Sequence, residues 1–187
     1  MQIFLIVAVS ADGLIAQSRD QVSTRWTSRE DASWFARRTK KAGVCVMGRT
    51  TFQILGRSLP ERSLIVQTSQ PTLLAKSHVQ TKQLEEAGDW HRQEGATEVI
   101  TTSLSIPELA DRLDKSGVKE LAICGGASIY TAWLKSGLVE RIYLTLEPRL
   151  FGQGMSLLTE KLNLKLKLVA VKNLNFNTLL LEYLIDL

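Results

Sequence analysis

The chain alternates between short apolar runs and longer polar or amphipathic segments. Continuous apolar runs of about four to eight residues predict strands in a sheet that is covered on both faces. The run at residues 44–47 is apolar throughout, and strands are also predicted at residues 2–9, 63–66, 98–101, 120–124 and 141–146, which include polar residues. The segments between them predict helices at residues 27–41, 49–55, 106–115 and 128–135. Strands that alternate with helices predict a mainly parallel sheet.

Local signals support the ends of two of these helices. Thr27 and Glu30 have the spacing of a capping box, and Gly43 follows the first helix, where a left-handed residue often ends a helix. Ser105 precedes the third helix as a candidate N-cap. Residues 17–25 are polar without periodicity and predict a surface loop.

The last third of the chain predicts an antiparallel addition to the sheet. Leucine alternates with polar residues from 162 to 168, which is typical of a half-solvated strand, and residues 179–185 predict a last strand. Residues 82–96 are polar and have no clear assignment. The pattern predicts one α/β domain over residues 1–187, with a mainly parallel central sheet, an antiparallel C-terminal edge and helices on both faces.

Composition and charge narrow the class of protein. The 187 residues are 44% hydrophobic and 22% charged, which is typical of a globular domain and excludes global disorder. The first apolar run is far shorter than the roughly 20 residues of a membrane span and lacks the basic flank of a signal peptide. We therefore expect a cytoplasmic protein with no membrane partner. The net charge of +4 fits an anionic small molecule and a nucleic acid equally well. The basic residues at 37–41 are interpreted as cations that favour the C-terminal dipole of a helix, rather than as a nucleic-acid site.

Histidine and cysteine are too rare for several kinds of active site. His78 and His91 lie in polar segments, so neither a histidine-activated nucleophile nor a zinc cluster is predicted. Cys45 and Cys124 lie in apolar runs and are expected as buried, reduced thiols. We therefore expect chemistry that relies on an organic cofactor, with no metal ion.

Glycine stands at two junctions between a predicted strand and a predicted helix, at residues 47–51 and 124–128. The N–H groups at the start of such a helix point to the carboxyl edge of the sheet, and glycine allows a phosphate to approach the backbone. Neither junction has the spacing of a Rossmann or P-loop motif. The spacing alone is compatible with a pyrophosphate clamp and with two tight turns.

Asp31 lies on the first predicted helix, on the same face as Ala32 and Phe35. An inward-facing carboxylate costs free energy unless something pairs with it. Its partner is either a ligand with adjacent N–H donors or the helix itself, through the spacing of Ser28 and Asp31.

Arg62 and Trp26 also have two interpretations each. Arg62 follows Leu59-Pro60-Glu61 in a predicted loop and is either a solvated charge or a ligand contact. Trp26 directly precedes the first helix and is either a cover on the core or a stacking surface.

Eight short motifs follow one another in an order and spacing that are specific when taken together. They are Leu5-Ile6-Val7-Ala8, Asp12-Gly13-Leu14-Ile15, Trp26, Asp31-Ala32-Ser33-Trp34-Phe35, Val46-Met47-Gly48-Arg49-Thr50-Thr51-Phe52, Gly56-Arg57-Ser58-Leu59-Pro60-Glu61-Arg62, Cys124-Gly125-Gly126-Ala127-Ser128-Ile129-Tyr130 and Ile142-Tyr143-Leu144-Thr145. In this order they resemble dihydrofolate reductase, over most of residues 1–70 and 118–187. The resemblance implies a dihydrofolate-reductase-like fold for the single domain.

The resemblance also implies the contacts of the substrate, dihydrofolate. It implies that Asp31 grips the pterin ring, that Thr145 supports this carboxylate, and that Trp26 holds a water near the reacting ring. Arg62 is implied to pair with the glutamate carboxylate of folate, which suits its planar fork. The implied substrate-binding residues are Ile6, Val7, Asp31, Ala32, Phe35, Leu55, Leu59, Arg62, Cys124, Tyr130 and Thr145.

The implied cofactor is NADPH, and the implied reaction is hydride transfer to dihydrofolate with protonation of the adjacent ring nitrogen through water. The loop before Trp26 is implied to act as a lid. We expect a monomer or a weak homodimer. The implied cofactor-binding residues are Ala8, Ile15, Gly48, Arg49, Thr50, Thr51, Thr68, Ser69, Cys124, Gly125, Gly126, Ala127, Ser128, Ile129 and Tyr130.

Residues 147–154 are more similar to a related family, the reductase domain of riboflavin biosynthesis, which shares the fold and the nicotinamide cofactor. The alternative function is therefore reduction of a ribosylated pyrimidine, or of another pterin. Asp31, Phe35 and Arg62 together match the folate-type set, so dihydrofolate reduction ranks first.

Overall fold

A nine-stranded sheet runs through the structure, a computed structural model that describes residues 1–70, 79–86 and 90–186. Its strands, in chain order, are β1 (Gln2–Ser10), β3 (Gly43–Gly48), β4 (Ser63–Gln67), β5 (Lys82–Gln83), β6 (Glu98–Thr102), β7 (Glu120–Ile123), β8 (Arg141–Glu147), β10 (Lys165–Asn173) and β11 (Leu179–Asp186). Two short strands, β2 (Leu14–Ala16) and β9 (Met155–Ser156), pair separately and antiparallel. The helices are α1 (Arg29–Ala42), α2 (Arg49–Leu55), α3 (Ile106–Lys115) and α4 (Ala127–Lys135), with a 3₁₀ turn at Ser23–Arg25.

The spatial order of the large sheet is β10-β11-β8-β1-β7-β3-β4-β6-β5. Strands β8 to β5 in this order are parallel, and β11 pairs antiparallel with both β8 and β10. The predicted fold class, a mainly parallel sheet with an antiparallel C-terminal edge, is therefore confirmed. After β1 the chain crosses to β3 on one side, and after β7 it crosses to β8 on the other. Such a reversal opens a crevice at the carboxyl ends of the strands.

Side chains of β1 alternate between two cores, as the two-residue period of a strand requires. Phe4 belongs to a cluster that includes Phe52 of α2. Leu5 belongs to a second cluster, which includes Leu109 of α3 and Trp133 of α4. Helices therefore cover both faces of the sheet, as predicted.

The predicted capping box of Thr27 and Glu30 is wrong. Ser28 is the N-cap of α1, and its Oγ accepts a hydrogen bond from the N–H of Asp31 at 3.2 Å. The Glu30 carboxylate instead accepts a hydrogen bond from the amide of Asn175 at 3.0 Å. Helix α4 begins at Ala127, one residue before the predicted start.

The polar segment 82–96 contributes more to the fold than its composition indicates. It contains the edge strand β5, and Leu84 and Trp90 are buried in the same core cluster as Leu109. Residues 87–89 of this segment and His78 lie outside the described residues.

Strand β10 differs from its prediction in start and in burial. It begins at Lys165, so Leu162 and Leu164 precede it. Both of its faces are exposed, with Leu166 and Leu168 at 45% and 50% relative exposure. None of the described helices is long and apolar enough to cross a bilayer.

Candidate active site

The crevice at the carboxyl edge of the sheet gathers the ends of β1, β3, β7 and β8. Backbone and side-chain hydrogen bonds fix these ends together: Gly48 N–H donates to the carbonyl of Gly125 at 2.8 Å, and the Tyr130 hydroxyl donates to the carbonyl of Ile6 at 2.9 Å. Residues far apart in the sequence therefore meet at one edge, which is the usual place for a ligand in an open α/β sheet.

Asp31 lies in the first turn of α1 and is 8% exposed. Its backbone N–H, not its carboxylate, takes part in the helix cap with Ser28. Burial raises the pKa of Asp31 and the negative charge of Glu147 raises it further, while hydrogen bonds from Thr145 and Thr27 oppose the shift. The carboxylate is thus buried, unpaired with any cation among the described residues, and available to a ligand.

Glu147 is a second buried carboxylate at this edge, and the sequence analysis did not identify it as a site residue. It is 2% exposed at the end of β8. One oxygen accepts hydrogen bonds from the N–H and the hydroxyl of Ser28, both at 2.8 Å. The other accepts from the hydroxyl of Thr178 at 3.2 Å. A sequence signal existed, because an acidic residue directly follows an apolar strand at its carboxyl end.

Apolar side chains form one wall beside Asp31. Ile6, Phe35, Leu55 and Leu59 belong to the cluster between the sheet and helices α1 and α2. Ala32 is partly buried next to Asp31 on α1. The side chain of Val7 packs in the opposite core, so only its backbone is placed to face the crevice. These side chains give the crevice an apolar wall on the face of the sheet that α1 and α2 cover.

Arg62 is 4% exposed, although it follows a loop. Its Nε donates to the carbonyl of Pro60 at 3.0 Å, and its Nη1 donates to the hydroxyl of Thr39 on α1 at 2.7 Å. Burial lowers the pKa of Arg62, but a guanidinium stays charged in proteins. In the described part of the chain its Nη2 donates to no protein acceptor. A buried cation without a bound carboxylate is suited to an anionic ligand group.

Trp26 ends the 3₁₀ turn before α1 and is 3% exposed. Its ring meets that of Phe151 edge-on, with centroids 5.0 Å apart. The indole N–H is buried and has no hydrogen-bond partner among the described residues. Because an unpaired buried donor is costly, this N–H is a place for an ordered water or a ligand acceptor.

The residues at the two glycine junctions fit a phosphate-bearing cofactor such as NADPH. The N-cap residues of α2 and α4 are Gly48 and Gly126, which supply no side-chain cap and so leave the first N–H groups of each helix for a ligand. A Cβ at Gly126 would lie 2.9 Å from Thr51 Oγ1. Gly125 has a φ of +113°, and a Cβ there would lie 3.0 Å from the Tyr130 hydroxyl oxygen. Only glycine leaves this space open.

Most of the other predicted cofactor residues lie around these two junctions. Ala8 is partly exposed between the buried residues Val7 and Val9 of β1, where a ligand has access to the backbone. The remaining junction residues are Arg49, Thr50, Cys124, Ala127, Ser128 and Ile129. Ile15 lies on β2 and packs on the core. Thr68 and Ser69 follow β4, where the Thr68 N–H donates to the carbonyl of Thr102.

The two cysteines are free, Cys45 buried and Cys124 partly exposed. Burial and a hydrogen bond with the Cys45 thiol raise the pKa of Cys124. A thiol of this kind is neutral at physiological pH and a poor nucleophile. No metal-ligating cluster of three or more side chains is present among residues 1–70, 79–86 and 90–186.

The sequence profile of the RibD C-terminal domain family matches residues 2–180 of the chain. The dihydrofolate reductase of Bacillus subtilis is 31% identical over 144 residues, which cover 76% of this chain and 67% of that protein. A putative riboflavin biosynthesis protein from Shewanella sp. PV-4 has a similar structure, with a TM-score of 0.73, 20% identity and coverage of 100% and 99% of the two chains. A diaminohydroxyphosphoribosylaminopyrimidine deaminase/5-amino-6-(5-phosphoribosylamino)uracil reductase from Thermotoga maritima has a TM-score of 0.75 at 14% identity, over 99% of this chain and 56% of that one.

These matches confirm the predicted similarity to dihydrofolate reductase and to the riboflavin-biosynthesis reductases. Both groups of reductases use NADPH, so the predicted cofactor is confirmed at the level of the family. The chain belongs to the RibD C-terminal domain family, and it is a reductase with a dihydrofolate-reductase-like fold.

Proposed function

We propose that this reductase converts 7,8-dihydrofolate to 5,6,7,8-tetrahydrofolate with NADPH. One observation carries the proposal: the Asp31 carboxylate is buried at the crevice, and its own helix does not use it. A carboxylate in this state suits a flat ring that presents two adjacent N–H donors, because its two oxygens bind both donors at once. The pterin ring has such a pair.

In this proposal each side chain of the site has a separate task. Thr145 lies beside Ala8 on the neighbouring strand and holds the Asp31 carboxylate by its hydroxyl. The unpaired indole N–H of Trp26 holds a water that passes a proton to the ring nitrogen next to the reacting carbon. Phe35, Leu55 and the other apolar residues of the wall align the ring and exclude bulk water.

The remaining tasks concern the substrate tail and the cofactor. Arg62 is held by Thr39 and Pro60, and its free Nη2 pairs with a folate carboxylate. The start of α4, from Gly125 to Tyr130, binds the pyrophosphate and nicotinamide region of NADPH. Arg49, Thr50, Thr51 and Ser69 bind its adenosine side. The bound cofactor supplies the hydride.

A second candidate function is reduction of a ribosylated pyrimidine. The observation that favours it is the loop after β8, which the Asp12 carboxylate fixes by accepting hydrogen bonds from the N–H groups of Phe151 and Gly152 at 3.1 and 2.6 Å. This loop lies in the stretch 147–154 that resembles the riboflavin-type reductases. The structural neighbours named above also favour this candidate.

Comparing substrates separates the two candidates. With NADPH in excess, kcat/KM is measured for dihydrofolate and for 5-amino-6-(5-phosphoribosylamino)uracil. The proposal expects a preference for dihydrofolate of at least about 100-fold, since unmatched polar groups in a site cost several kcal/mol. A preference for the pyrimidine would reject folate reduction and establish the second candidate.

A further inference from the structure

The two buried carboxylates of the site, Asp31 and Glu147, are linked through one serine. We propose that Glu147 is a positioning residue for Asp31: it ties the first turn of α1 to β8 and sets a second negative charge beside the Asp31 carboxylate. The inference deepens the proposed function, because it rests on Asp31 as the residue that binds the substrate ring.

The link is a chain of hydrogen bonds with defined directions. The Ser28 hydroxyl donates its proton to Glu147 at 2.8 Å, and the Ser28 N–H donates to the same carboxylate oxygen. With its proton committed, the Ser28 oxygen presents a lone pair to the N–H of Asp31 at 3.2 Å. Glu147 therefore determines how the N-cap is oriented, and the N-cap fixes the backbone that carries the Asp31 side chain.

Glu147 is itself held rigidly. Its other oxygen accepts from the hydroxyl of Thr178, directly before β11, and its backbone carbonyl accepts from the N–H of Arg149 at 2.8 Å. Glu147 lies next to buried Ser10 of β1 in the sheet register. The side chain thus joins the N-cap of α1 to Thr178, directly before β11, from its own place at the end of β8, which suits a residue that supports a site.

The groups that face Asp31 determine the electrostatic part of the role. Thr27 precedes α1, Thr145 and Glu147 come from β8, and Tyr130 comes from α4. Burial raises the pKa of the Tyr130 phenol, so this group is neutral. No lysine or arginine forms an ion pair with Asp31 or Glu147 within the described ranges. The Glu147 charge is therefore not neutralised by a neighbour, and it favours the protonated form of Asp31.

The test titrates Asp31 directly in the enzyme without substrate. Carbon-13 NMR of labelled aspartate carboxyl groups is followed against pH, and Asp31→Asn identifies the resonance. Glu147→Gln keeps the size and one acceptor oxygen but removes the charge, so the midpoint of the Asp31 titration is expected to move to lower pH. Glu98→Gln is the matched control, because Glu98 also accepts from a serine hydroxyl, that of Ser63 at 2.7 Å, at the start of β6. It is expected to leave the Asp31 midpoint unchanged.

Glu147→Asp supplies the second variant, which keeps the charge but withdraws the carboxylate from Ser28. Because the negative charge at position 147 is kept, we expect the Asp31 titration midpoint of the wild type. Because the hydrogen bonds to Ser28 are lost, we expect KM for the substrate to rise at least about fivefold. If Glu147→Gln does not fold, the KM of Glu147→Asp still tests the positioning role.

The outcomes of this test separate the inference from the proposed function. An Asp31 midpoint that is the same in Glu147→Gln and wild type overturns the positioning role, whatever the activity. A wild-type KM in Glu147→Asp also overturns it. A shifted midpoint in an enzyme that reduces no folate supports the role of Glu147 and rejects only the proposed substrate.

Discussion

Asp31 and Arg62 are buried charged side chains to which the fold offers no charge of opposite sign as a hydrogen-bond partner within the described residues. The hydroxyl groups of Thr145 and Thr27 face the Asp31 carboxylate. Arg62 donates hydrogen bonds to the hydroxyl of Thr39 and the carbonyl of Pro60. Neither forms an ion pair within the described part of the chain. Buried charges without a counter-ion are unfavourable for folding, so Asp31 at the carboxyl edge of the sheet and Arg62 at the amino end of β4 are explained by ligand binding better than by stability.

Asp31→Asn is expected to change activity and stability in opposite directions. Loss of the carboxylate lowers kcat/KM for dihydrofolate by about 100-fold or more at neutral pH. Burial raises the folded-state pKa of Asp31 above its ordinary value of 3.8, so the folded protein loses stability as pH rises through the folded pKa. The asparagine variant avoids this loss, so its free energy of unfolding at pH 7 is expected to be about 1 kcal/mol higher than that of the wild type.

Urea unfolding at pH 7 and near pH 3 checks the sign of this effect. The gain is expected at pH 7 and not near pH 3, where Asp31 is protonated in both the folded and unfolded states. A variant less stable than wild type at pH 7, or one with full activity, would contradict the role given to Asp31.

Arg62→Leu is expected to raise KM for dihydrofolate by about 10- to 100-fold with little change in kcat. A charged hydrogen bond of this kind contributes about 1.5–3 kcal/mol, and the carboxylate contact is the same in the ground state and the transition state. Arg57→Leu is the control, because Arg57 is an exposed arginine of the same loop. Steady-state kinetics with dihydrofolate give KM and kcat for both variants. A loss confined to kcat in Arg62→Leu would contradict the proposed contact between Arg62 and the folate carboxylate.

At the scale of elements, the sequence predicted the buried strands well and the helix starts less well. Strands β3 and β4 have continuous apolar centres, at residues 44–47 and 64–66, so a local pattern identifies them. The start of α1 depends on Glu147, which is 119 residues away from Ser28 and holds it as the N-cap. Local spacing favours Thr27 equally and contains no information about that contact. The local signal for Glu147, an acidic residue directly after an apolar strand, likewise does not show that Glu147 contacts Ser28.

Burial in the segment 82–96 was missed for a related reason. Leu84 and Trp90 are isolated apolar residues in a polar stretch, so no periodicity marks them. They are buried because β5 adds to the edge of the sheet next to α3, a tertiary arrangement that overrides the local pattern.

Gly126→Ala is expected to raise KM for NADPH about tenfold and to leave KM for dihydrofolate within about twofold. The added Cβ would lie 2.9 Å from Thr51 Oγ1, so the starts of α2 and α4 would have to move apart. We expect this movement to remove about one charge-assisted hydrogen bond to the cofactor. Quenching of tryptophan fluorescence on cofactor binding gives Kd independently of turnover. An unchanged Kd for NADPH would exclude this junction as its site.

At the scale of the whole molecule, the site exists because two crossovers leave the sheet in opposite directions. The glycine junctions, Asp31 and Thr145 come from four separate parts of the chain and meet at one edge. The motif order indicated which residues belong together, but their relative positions follow from the sheet order, which no local pattern contains. The assignment of residues 1–187 to one domain and the monomer or weak homodimer remain predictions.

Leu121→Ala tests the single domain by its effect on unfolding. Leu121 is fully buried on β7, between β1 and β3, and its truncation is expected to cost about 2–5 kcal/mol. Leu150→Ala, at a position that is 77% exposed, is the control and is expected to cost less than about 0.5 kcal/mol.

Circular dichroism and tryptophan fluorescence are followed together during thermal unfolding. In one domain both signals give a single coincident transition, and Leu121→Ala lowers its midpoint for both signals alike. Two separate transitions, with only one of them moved by the substitution, would show that the chain folds as more than one unit.

The outermost strand carries an irregularity that governs which way its side chains point. Leu168 lies opposite Tyr183, but Val171 lies opposite Leu181, because the pairing slips by one residue between Leu168 and Ala170. The slip keeps the aliphatic residues before and after it on one side of the ribbon. Val169 is the residue without a register partner, so its deletion would restore regular pairing and leave the aliphatic and the lysine-bearing sides of the ribbon unchanged, whereas deleting a second residue would interchange the two sides beyond that point.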